Sequence, residues 1–317
     1  MFIDNLIENI RQKNNPTVMG LDPMLEYVPK HIKDIAFNEH GASVIAASKA
    51  ILLFNLKIID AIYDIIPCIK PQSAYYEMYG SHGTSVLRET IMYAKSKGLS
   101  VIVDAKRNDI GSTAEAYATA YLGNTEIMNG QSYDAFAADA LTVNAYLGDD
   151  GVLPFIKMCD KNDKGIFVLV KTSNPSSSQI QDLVLNNGMK VYEKMAEYVN
   201  EWGKGRIGIN GYSSVGAVVG ATHPVEATNI RKILKHAYIL VPGYGTQGGS
   251  ADDAASSFNS DGLGAIVNAS RSLMCAHKSD RWKGTYSSEK FDEAIRAEAL
   301  RMKEDLNNAL ARKKKND

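Results

Sequence analysis

Short apolar runs alternate along the chain with longer segments in which apolar residues recur every three or four positions. The short runs are rich in Val and Ile and lack polar alternation, which is typical of strands buried on both faces of a parallel sheet. They predict eight strands, at residues 18–21, 65–69, 99–103, 135–143, 165–170, 215–219, 238–241 and 264–267. The longer segments predict helices, among them 43–62, 85–97, 114–122, 189–202, 225–236 and 288–311.

Eight consecutive strand–helix units predict a fold of the α/β class. Because crossovers between parallel strands are right-handed and eight such units close a sheet on itself, we expect a (β/α)8 TIM barrel. A doubly wound sheet would require a G-x-G-x-x-G turn after the first strand, where this chain has Gly-Leu-Asp-Pro at 20–23. We expect a single domain over residues 1–317, with an N-terminal helix at about 2–13 and a Ser-rich, lid-like insertion at about 172–188.

Composition narrows the class of protein further. The chain has 317 residues, 45% of them hydrophobic, and is therefore long enough to bury a sizeable core. Its formal net charge of −1 gives no indication of a nucleic-acid partner or of an anionic membrane surface. No apolar stretch is long enough to span a membrane. Cys68, Cys159 and Cys275 lack C-x-x-C spacing and cannot all pair, so we expect a reducing, cytoplasmic location.

The most informative motif is Asp-Ala-Lys-Arg-Asn-Asp-Ile-Gly-Ser-Thr at 104–113, directly after the third predicted strand. It places Asp104 and Asp109 around Lys106. Residues two positions apart on a strand face the same side, so Asp104 and Lys106 should point together at the strand's carboxyl end, where barrels carry their chemistry. An ordinary surface ion pair is the alternative explanation for an isolated D-x-K sequence.

Polar residues follow the other predicted strands as well. If the barrel closes, their side chains meet at one rim and form the mouth of an active site. They are Asp22, Lys70 with Gln72, Asn144, Thr172 with Ser173, Thr222 with His223, Pro242 leading to Gln247, and Asn268 with Arg271. For His223 the alternative is packing against a helix start, because Pro224 follows it. The six histidines are dispersed and no metal-ligand spacing occurs, so no metal site is predicted.

The last two rim loops predict a phosphate site. Pro-Gly-Tyr-Gly-Thr-Gln-Gly-Gly at 242–249 follows the seventh strand, and Asn-Ala-Ser-Arg-Ser at 268–272 follows the eighth. Glycines let backbone N–H groups approach an anion closely, and the Arg271 guanidinium supplies planar, bidentate donors. Barrels commonly bind phosphate with these two loops.

Taken in order, these motifs resemble those of the orotidine 5′-phosphate decarboxylases of the longer, type 2 kind. The resemblance rests on 20–23 (G-L-D-P), 69–72 (I-K-P-Q), 104–113, 172–175 (T-S-N-P), 219–222 (V-G-A-T), 242–249 and 269–271 (A-S-R). It covers residues 18 to 272. Asn108 departs from the pattern, which has glycine there, and Thr246 departs in the phosphate loop. Because Asn tolerates a left-handed backbone better than most side chains, we expect Asn108 to preserve its loop.

The resemblance implies decarboxylation of orotidine 5′-monophosphate (OMP) to uridine 5′-monophosphate (UMP), the last step of de novo pyrimidine synthesis, without a metal or an organic cofactor. Loss of CO2 leaves negative charge on C6 of the pyrimidine, which a fixed ammonium stabilises before it donates a proton. Lys106 is assigned that role. Lys70, Asp104 and, from a second subunit, Asp109 complete the implied catalytic network.

The resemblance also implies how the substrate is held. Ribose hydroxyls are assigned to Asp22, Lys70 and Gln72, with Thr113 from the partner subunit, and the pyrimidine edge is assigned to Ser173. The phosphate is assigned to Gln247, in the loop that begins at Pro242, and to Arg271 in the following rim loop, with Tyr244 as a possible additional contact. The implied assembly is a homodimer with shared active sites. No nucleic-acid or membrane partner is implied.

Two other functions stay open at this point. One is a magnesium-dependent sugar-phosphate decarboxylase or aldolase of the same barrel group, which shares the D-x-K-x-x-D motif and uses the metal to hold an enediolate. Those relatives carry an acidic metal ligand after the second strand, where this chain has Lys70. The other is a nucleotide-binding barrel without catalysis, which would have no reason to retain a desolvated lysine among carboxylates.

Overall fold

Eight parallel strands close into a barrel in the computed structural model, which describes residues 1–245 and 247–316. Each strand pairs with the next along the chain, and the last pairs with the first. The strands are β1 (Thr17–Leu21), β2 (Cys68–Pro71), β3 (Ser100–Arg107), β4 (Ala140–Val143), β5 (Gly165–Lys171), β6 (Ser213–Val219), β7 (Ala237–Val241) and β8 (Ala265–Ala269). The predicted TIM barrel is therefore confirmed.

Two strands begin clearly later in the chain than expected, and the third ends at Arg107 instead of 103. The second strand begins at Cys68 instead of 65, because the N–H groups of Ile65 and Ile66 donate to the Ile62 carbonyl and prolong the preceding helical turn. The fourth covers only 140–143 of the expected 135–143. Ahead of it, Thr125–Glu126 and Ser132–Tyr133 form a small antiparallel hairpin that the hydrophobic pattern did not predict.

Helices surround the barrel. They are α1 (Phe2–Lys13), α2 (Lys30–His40), α3 (Val44–Ile62), α4 (Ala74–Glu77), α5 (Gly80–Ser96), α6 (Gly111–Leu122), α7 (Asp149–Asn162), α8 (Ser178–Gln181), α9 (Val191–Gly203), α10 (Pro224–Ile233), α11 (Ala251–Ala255), α12 (Arg271–Met274) and α13 (Phe291–Asn316). Short 3₁₀ turns lie at Pro175–Ser177, Ala276–Lys278 and Ser288–Lys290. In the described residues no helix is both long and apolar enough to cross a membrane.

The core has an inner and an outer layer. The outer layer packs the helices against the strands, which explains why strand residues are buried on both faces. The inner layer joins the apolar face of α1 to residues inside the barrel, and the Phe2 ring meets the Phe167 ring edge to face at 6.4 Å. Its members include Phe2, Ile3, Leu6, Ile7 and Ile10 of α1 with Val18, Cys68, Ile102, Ala140, Phe167, Leu240 and Ile266 of the strands. The amphipathic first helix therefore packs against the interior of the barrel.

The three cysteines are free thiols. Cys68 and Cys159 are buried, and their burial raises the pKa of both thiols well above the ordinary value. Both are therefore held in the unreactive protonated form and act as small apolar side chains.

Candidate active site

A cavity of about 700 Å³ opens at the carboxyl ends of the strands. Nine of the eleven residues predicted for the site line it: Asp22, Lys70, Gln72, Asp104, Lys106, Ser173, Pro242, Gln247 and Arg271. They come from loops and strand ends spread from β1 to β8. Closure of the barrel therefore brings together residues that are up to 249 positions apart in the chain.

Among these cavity-lining residues, Asp104 lies between two lysines, Lys70 and Lys106. Its Oδ2 accepts a hydrogen bond from Lys70 Nζ at 2.8 Å, and its Oδ1 accepts one from Lys106 Nζ at 2.7 Å. The Thr142 hydroxyl of β4 donates to the same Oδ1 at 2.9 Å. The Lys70 and Asp104 side chains are buried, whereas the Lys106 side chain is 45% exposed toward the cavity. Both oxygens of the carboxylate thus accept hydrogen bonds, and one of the two ammonium groups remains exposed to the cavity.

Burial and charge act in opposite directions in this network. Desolvation by itself would raise the pKa of the Asp104 carboxyl, but Lys70 and Lys106 outweigh it and hold that pKa far below its usual range. Desolvation of Lys70 would lower its pKa, but the charges of Asp104 and Asp22 outweigh it and raise the pKa above the ordinary value. The charges of Asp104 and Lys70 therefore persist at neutral pH, because the neighbouring opposite charges outweigh the cost of burial.

Replacing Asp104 with alanine is expected to lower the free energy of unfolding by about 3 kcal/mol, because it leaves the buried Lys70 ammonium without a partner. Urea denaturation of the purified protein measures the loss. Asp60→Ala is the matched control, since Asp60 pairs with Lys97 at 2.8 Å on the surface and should cost less than about 1 kcal/mol. A loss for Asp104→Ala no larger than that of the control would contradict the interpretation.

The backbone of β3 changes course at Lys106. Its pairing register with β4 shifts between Val103 and Arg107, and Lys106 has a left-handed φ of 49°. The Lys106 N–H donates to the Thr142 hydroxyl at 3.0 Å, which holds this bulge. Left-handed backbone is present in this segment at Lys106 and Gly111, and Asn108 does not adopt it. A non-glycine residue in this conformation stores strain, and such residues cluster at functional sites.

Asp109 and Thr113 do not line the cavity of their own chain. Asp109 Oδ1 accepts a hydrogen bond from the N–H of Ile110, and Thr113 is exposed on the first turns of α6. The side chain between them in sequence, Ile110, is 55% exposed. The segment is therefore exposed outside the cavity of its own chain.

Not every strand contributes the expected rim residue. Asn144 does not line the cavity, because its Oδ1 accepts from the Tyr146 N–H and closes a local turn. Thr142, two positions earlier on β4, takes its place. Thr222 and His223 are also absent from the lining, and His223 directly precedes α10, as expected of a residue that packs at a helix start.

The expected phosphate end lies at the other side of the cavity. Its loop turns on Gly243, Gly245 and Gly248, which all have positive φ, and the Gly245 and Gly249 backbones hydrogen bond across the turn. Gln247 of this loop and Arg271 of the next rim loop are both exposed. Thr246, the second departure from the family pattern, lies outside the described residues.

Tyr244 differs from the other members of this loop. Its side chain is 94% buried, and its hydroxyl donates to Asp305 of α13 instead of ending in the cavity. Tyr244 still lines the cavity, as expected of a residue near the phosphate end, but its hydroxyl is engaged by Asp305.

The insertion expected to act as a lid is tied to the barrel. Lys171, at the end of β5, is 99% buried and its Nζ lies 2.8 Å from Asp182 Oδ2. Gln181 forms two hydrogen bonds with Thr172. Its Oε1 accepts from the Thr172 N–H at 2.9 Å, and its Nε2 donates to the Thr172 hydroxyl at 2.7 Å. Gln181 and Asn174 line the cavity and were not predicted, since a polar residue in a Ser-rich segment carries no periodic signal.

The fold and the site define the class: a (β/α)8 barrel enzyme with a buried carboxylate and two lysines at one end of its mouth and a glycine loop with an arginine at the other. The chain belongs to the orotidine 5′-phosphate decarboxylase / HUMPS family, whose model matches residues 47–281.

Individual relatives agree with this assignment over nearly the whole chain. An orotidine 5′-phosphate decarboxylase of Rhodopirellula baltica is 44% identical, with 96% of this chain and 98% of the relative covered. One of Caldicellulosiruptor saccharolyticus is 42% identical, with 93% and 98% covered. The solved structure of a Toxoplasma gondii protein, assigned provisionally to the same activity, is 28% identical with a TM-score of 0.76 and covers 97% of this chain and 98% of its own. The predicted family is confirmed.

Proposed function

We propose that this chain converts OMP to UMP and CO2 in pyrimidine biosynthesis in the cytoplasm. The observation that carries the proposal is the Lys70–Asp104–Lys106 network, in which one ammonium group faces a cavity large enough for a nucleotide. Its two ion pairs have N–O distances of 2.7 and 2.8 Å. The charge needed for the reaction is thus held in place by groups of the protein itself.

In the proposed reaction the bond between C6 and the carboxylate carbon breaks, CO2 leaves, and the bonding electron pair stays on C6. Lys106 stabilises that developing negative charge electrostatically and transfers its proton from Nζ to C6, which yields UMP and a neutral amine. The amine regains a proton from water before the next turnover. Only an interaction that strengthens as this charge develops accelerates the step.

We assign the fixed geometry of Lys106 to Asp104. The carboxylate is hydrogen bonded by Lys70, Lys106 and Thr142, so it has little freedom to move. At an effective dielectric constant near 20, a pair of charges at these separations interacts by several kcal/mol. Holding the ammonium before the reaction avoids the cost of reorganising it during the reaction.

The remaining lining residues are proposed to bind the parts of OMP that do not react. Asp22, Lys70 and Gln72 address the ribose, Ser173 the pyrimidine edge, and Gln247 and Arg271 the phosphate beside Pro242. The Oδ1 atom of Asp22 is buried with no hydrogen-bond partner in the described residues, which supports a role for it in accepting a hydroxyl. Binding energy from the distant phosphate then orients the reacting end.

We propose that the active protein is a homodimer and that the partner subunit's Asp109 and the partner subunit's Thr113 complete each site. In support, neither residue lines the cavity of its own chain. Large apolar side chains are exposed on three neighbouring loops of the barrel rim, which follow β2, β3 and β4. They are Met78, which is 67% exposed, Ile110, which is 55% exposed, and Tyr146, which is 79% exposed. Exposed apolar surface of this kind commonly marks a protein interface.

Purified protein is expected to release UMP and CO2 from OMP in the presence of excess chelator. In the proposed mechanism Lys106 supplies the stabilising charge that a metal would supply in the sugar-phosphate enzymes. UMP formation followed by chromatography is the measurement. Activity that disappears with chelator and returns with magnesium would favour the sugar-phosphate class, and UMP binding without turnover would favour a nucleotide-binding barrel.

Arg271→Ala is expected to lower kcat/KM for OMP by about 100-fold, mainly through KM, because a guanidinium–phosphate contact contributes about 1.5–3 kcal/mol. The affinity for uridine, which lacks phosphate, should change little. Calorimetric titration with UMP and with uridine measures the difference. Arg312→Ala is the control, since Arg312 pairs with Asp252 on the surface. Equal losses for UMP and uridine would show that Arg271 is structural.

A further inference from the structure

The proposed phosphate loop holds itself together mainly through its backbone. Gly245 N–H donates to the Gly249 carbonyl at 2.9 Å, and Gly249 N–H donates to the Gly243 carbonyl at 3.1 Å. Glycines lose more conformational freedom on ordering than other residues, so a loop built on them needs an anchor to hold one shape. Tyr244 is the large side chain that the loop buries.

Tyr244 separates two cavities. One is the substrate cavity, and the other, of about 450 Å³, lies behind the loop and is lined by Glu298, Arg301 and Asp305 of α13. The Tyr244 hydroxyl donates to Asp305 Oδ2 at 2.6 Å and accepts from Arg301 Nη2 at 3.2 Å. The loop is therefore fastened from behind to the C-terminal helix.

The protonation state of Tyr244 fits this arrangement. Burial, together with the hydrogen bond to Asp305, raises the pKa of Tyr244 to about 12. The hydroxyl therefore keeps its proton at neutral pH and donates it to a charged acceptor, which makes the hydrogen bond stronger than one between neutral groups.

Arg301 is itself held in place. Its guanidinium makes three contacts with the Glu298 carboxylate, at 3.0, 3.0 and 2.7 Å, and Glu298 also accepts from Trp282 Nε1 at 2.8 Å. Glu298 is buried. The Arg301 guanidinium that donates to the Tyr244 hydroxyl is thus fixed by its hydrogen bonds to Glu298.

We propose that Arg301 and Asp305 are positioning residues for the phosphate loop, which act through the Tyr244 hydroxyl without touching the substrate. The inference rests on the proposed phosphate site at Gln247 and Arg271. Through this contact the C-terminal helix contributes to the affinity for phosphorylated ligands only.

Tyr244→Phe keeps the buried ring and removes the hydroxyl. It is expected to weaken UMP binding about tenfold, which is the size of one hydrogen bond to a charged group, and to leave uridine binding within about twofold of wild type. KM for OMP should rise more than kcat falls. Calorimetric titration with UMP and uridine and steady-state kinetics with OMP measure these effects.

Asp305→Asn is expected to give the same selective loss for UMP, because an amide oxygen is a weaker acceptor than a carboxylate. The double variant should be no worse than Tyr244→Phe alone, since both changes remove one contact. Asp64→Asn is the matched control: it breaks the ion pair of Arg296, which links α13 to the end of α3, and should change neither affinity.

Equal weakening of UMP and uridine by Tyr244→Phe, or unchanged UMP binding in both single variants, would overturn the inference. Thermal midpoints of all variants show whether a loss reflects unfolding, in which case both ligands lose affinity together. Arg271→Ala distinguishes failure of the proposed phosphate site from failure of the proposed positioning role of Arg301 and Asp305. If it weakens UMP selectively while the Tyr244 and Asp305 variants do not, the phosphate site stands and the inference fails. If it does not discriminate between the ligands, the phosphate site fails and the inference fails with it.

Discussion

Lys106→Ala is expected to abolish turnover of OMP, with a fall in kcat of about 10⁴-fold or more, while UMP binding remains measurable. The substitution removes both the charge that stabilises C6 and the proton that C6 receives, and each such contribution is typically about 10²-fold or larger. Both act mainly on the transition state, so ground-state affinity is largely spared. Single-turnover kinetics and calorimetry with UMP measure the two quantities separately.

The control for this experiment is Lys97→Ala. Lys97 is also ion paired, with Asp60 at 2.8 Å, but it lies outside the cavity. It should leave kcat unchanged. A near-normal kcat for Lys106→Ala would refute the assignment of the proton donor, and loss of both turnover and UMP binding would point to a structural role for Lys106.

Mixing two inactive variants, Lys106→Ala and Asp109→Ala, is expected to restore about a quarter of wild-type activity. If the partner subunit's Asp109 completes each site, a heterodimer collects both lesions in one site and neither in the other. Random exchange gives about one half heterodimers, each with one intact site of two. The measurement is OMP turnover after subunit exchange, with heterodimers quantified through differently tagged chains.

A second mixture provides the control for shared sites. Lys70 and Lys106 contact the same Asp104 within one chain, so Lys70→Ala mixed with Lys106→Ala should regain nothing. Recovery of activity in that mixture would mean that Lys70 and Lys106 of one active site can come from different subunits. No recovery with Asp109→Ala, once heterodimers are demonstrated, would mean that Asp109 serves its own subunit.

In the phosphate loop the sequence pattern predicts the turn but not the contacts of its side chains. Its glycines predict a turn, and the turn is present with positive φ at Gly243, Gly245 and Gly248. The same pattern could not show which way Tyr244 faces. Its hydroxyl partner, Asp305, lies 61 residues later on α13, and only the packing of that helix behind the loop brings the two together.

Sequence by itself determined the barrel and the central charged motif. Strands buried on both faces must be apolar throughout, so eight such runs are visible without any tertiary information. The two-residue period of a strand likewise predicted Asp104 and Lys106 on one side, and the ion pair between them is present although the strand is irregular at Lys106.

Contacts between distant strands were decided only by tertiary structure. Lys70 reaches Asp104 from 34 positions away and Thr142 reaches it from 38, because closure of the barrel sets β2, β3 and β4 side by side in one register. The left-handed conformation of Lys106 likewise depends on tertiary structure, because the register between β3 and β4 shifts there and the Thr142 hydroxyl accepts the Lys106 N–H. Local pattern reports burial and periodicity, whereas the partner of each polar group depends on which strands become neighbours and how they are staggered.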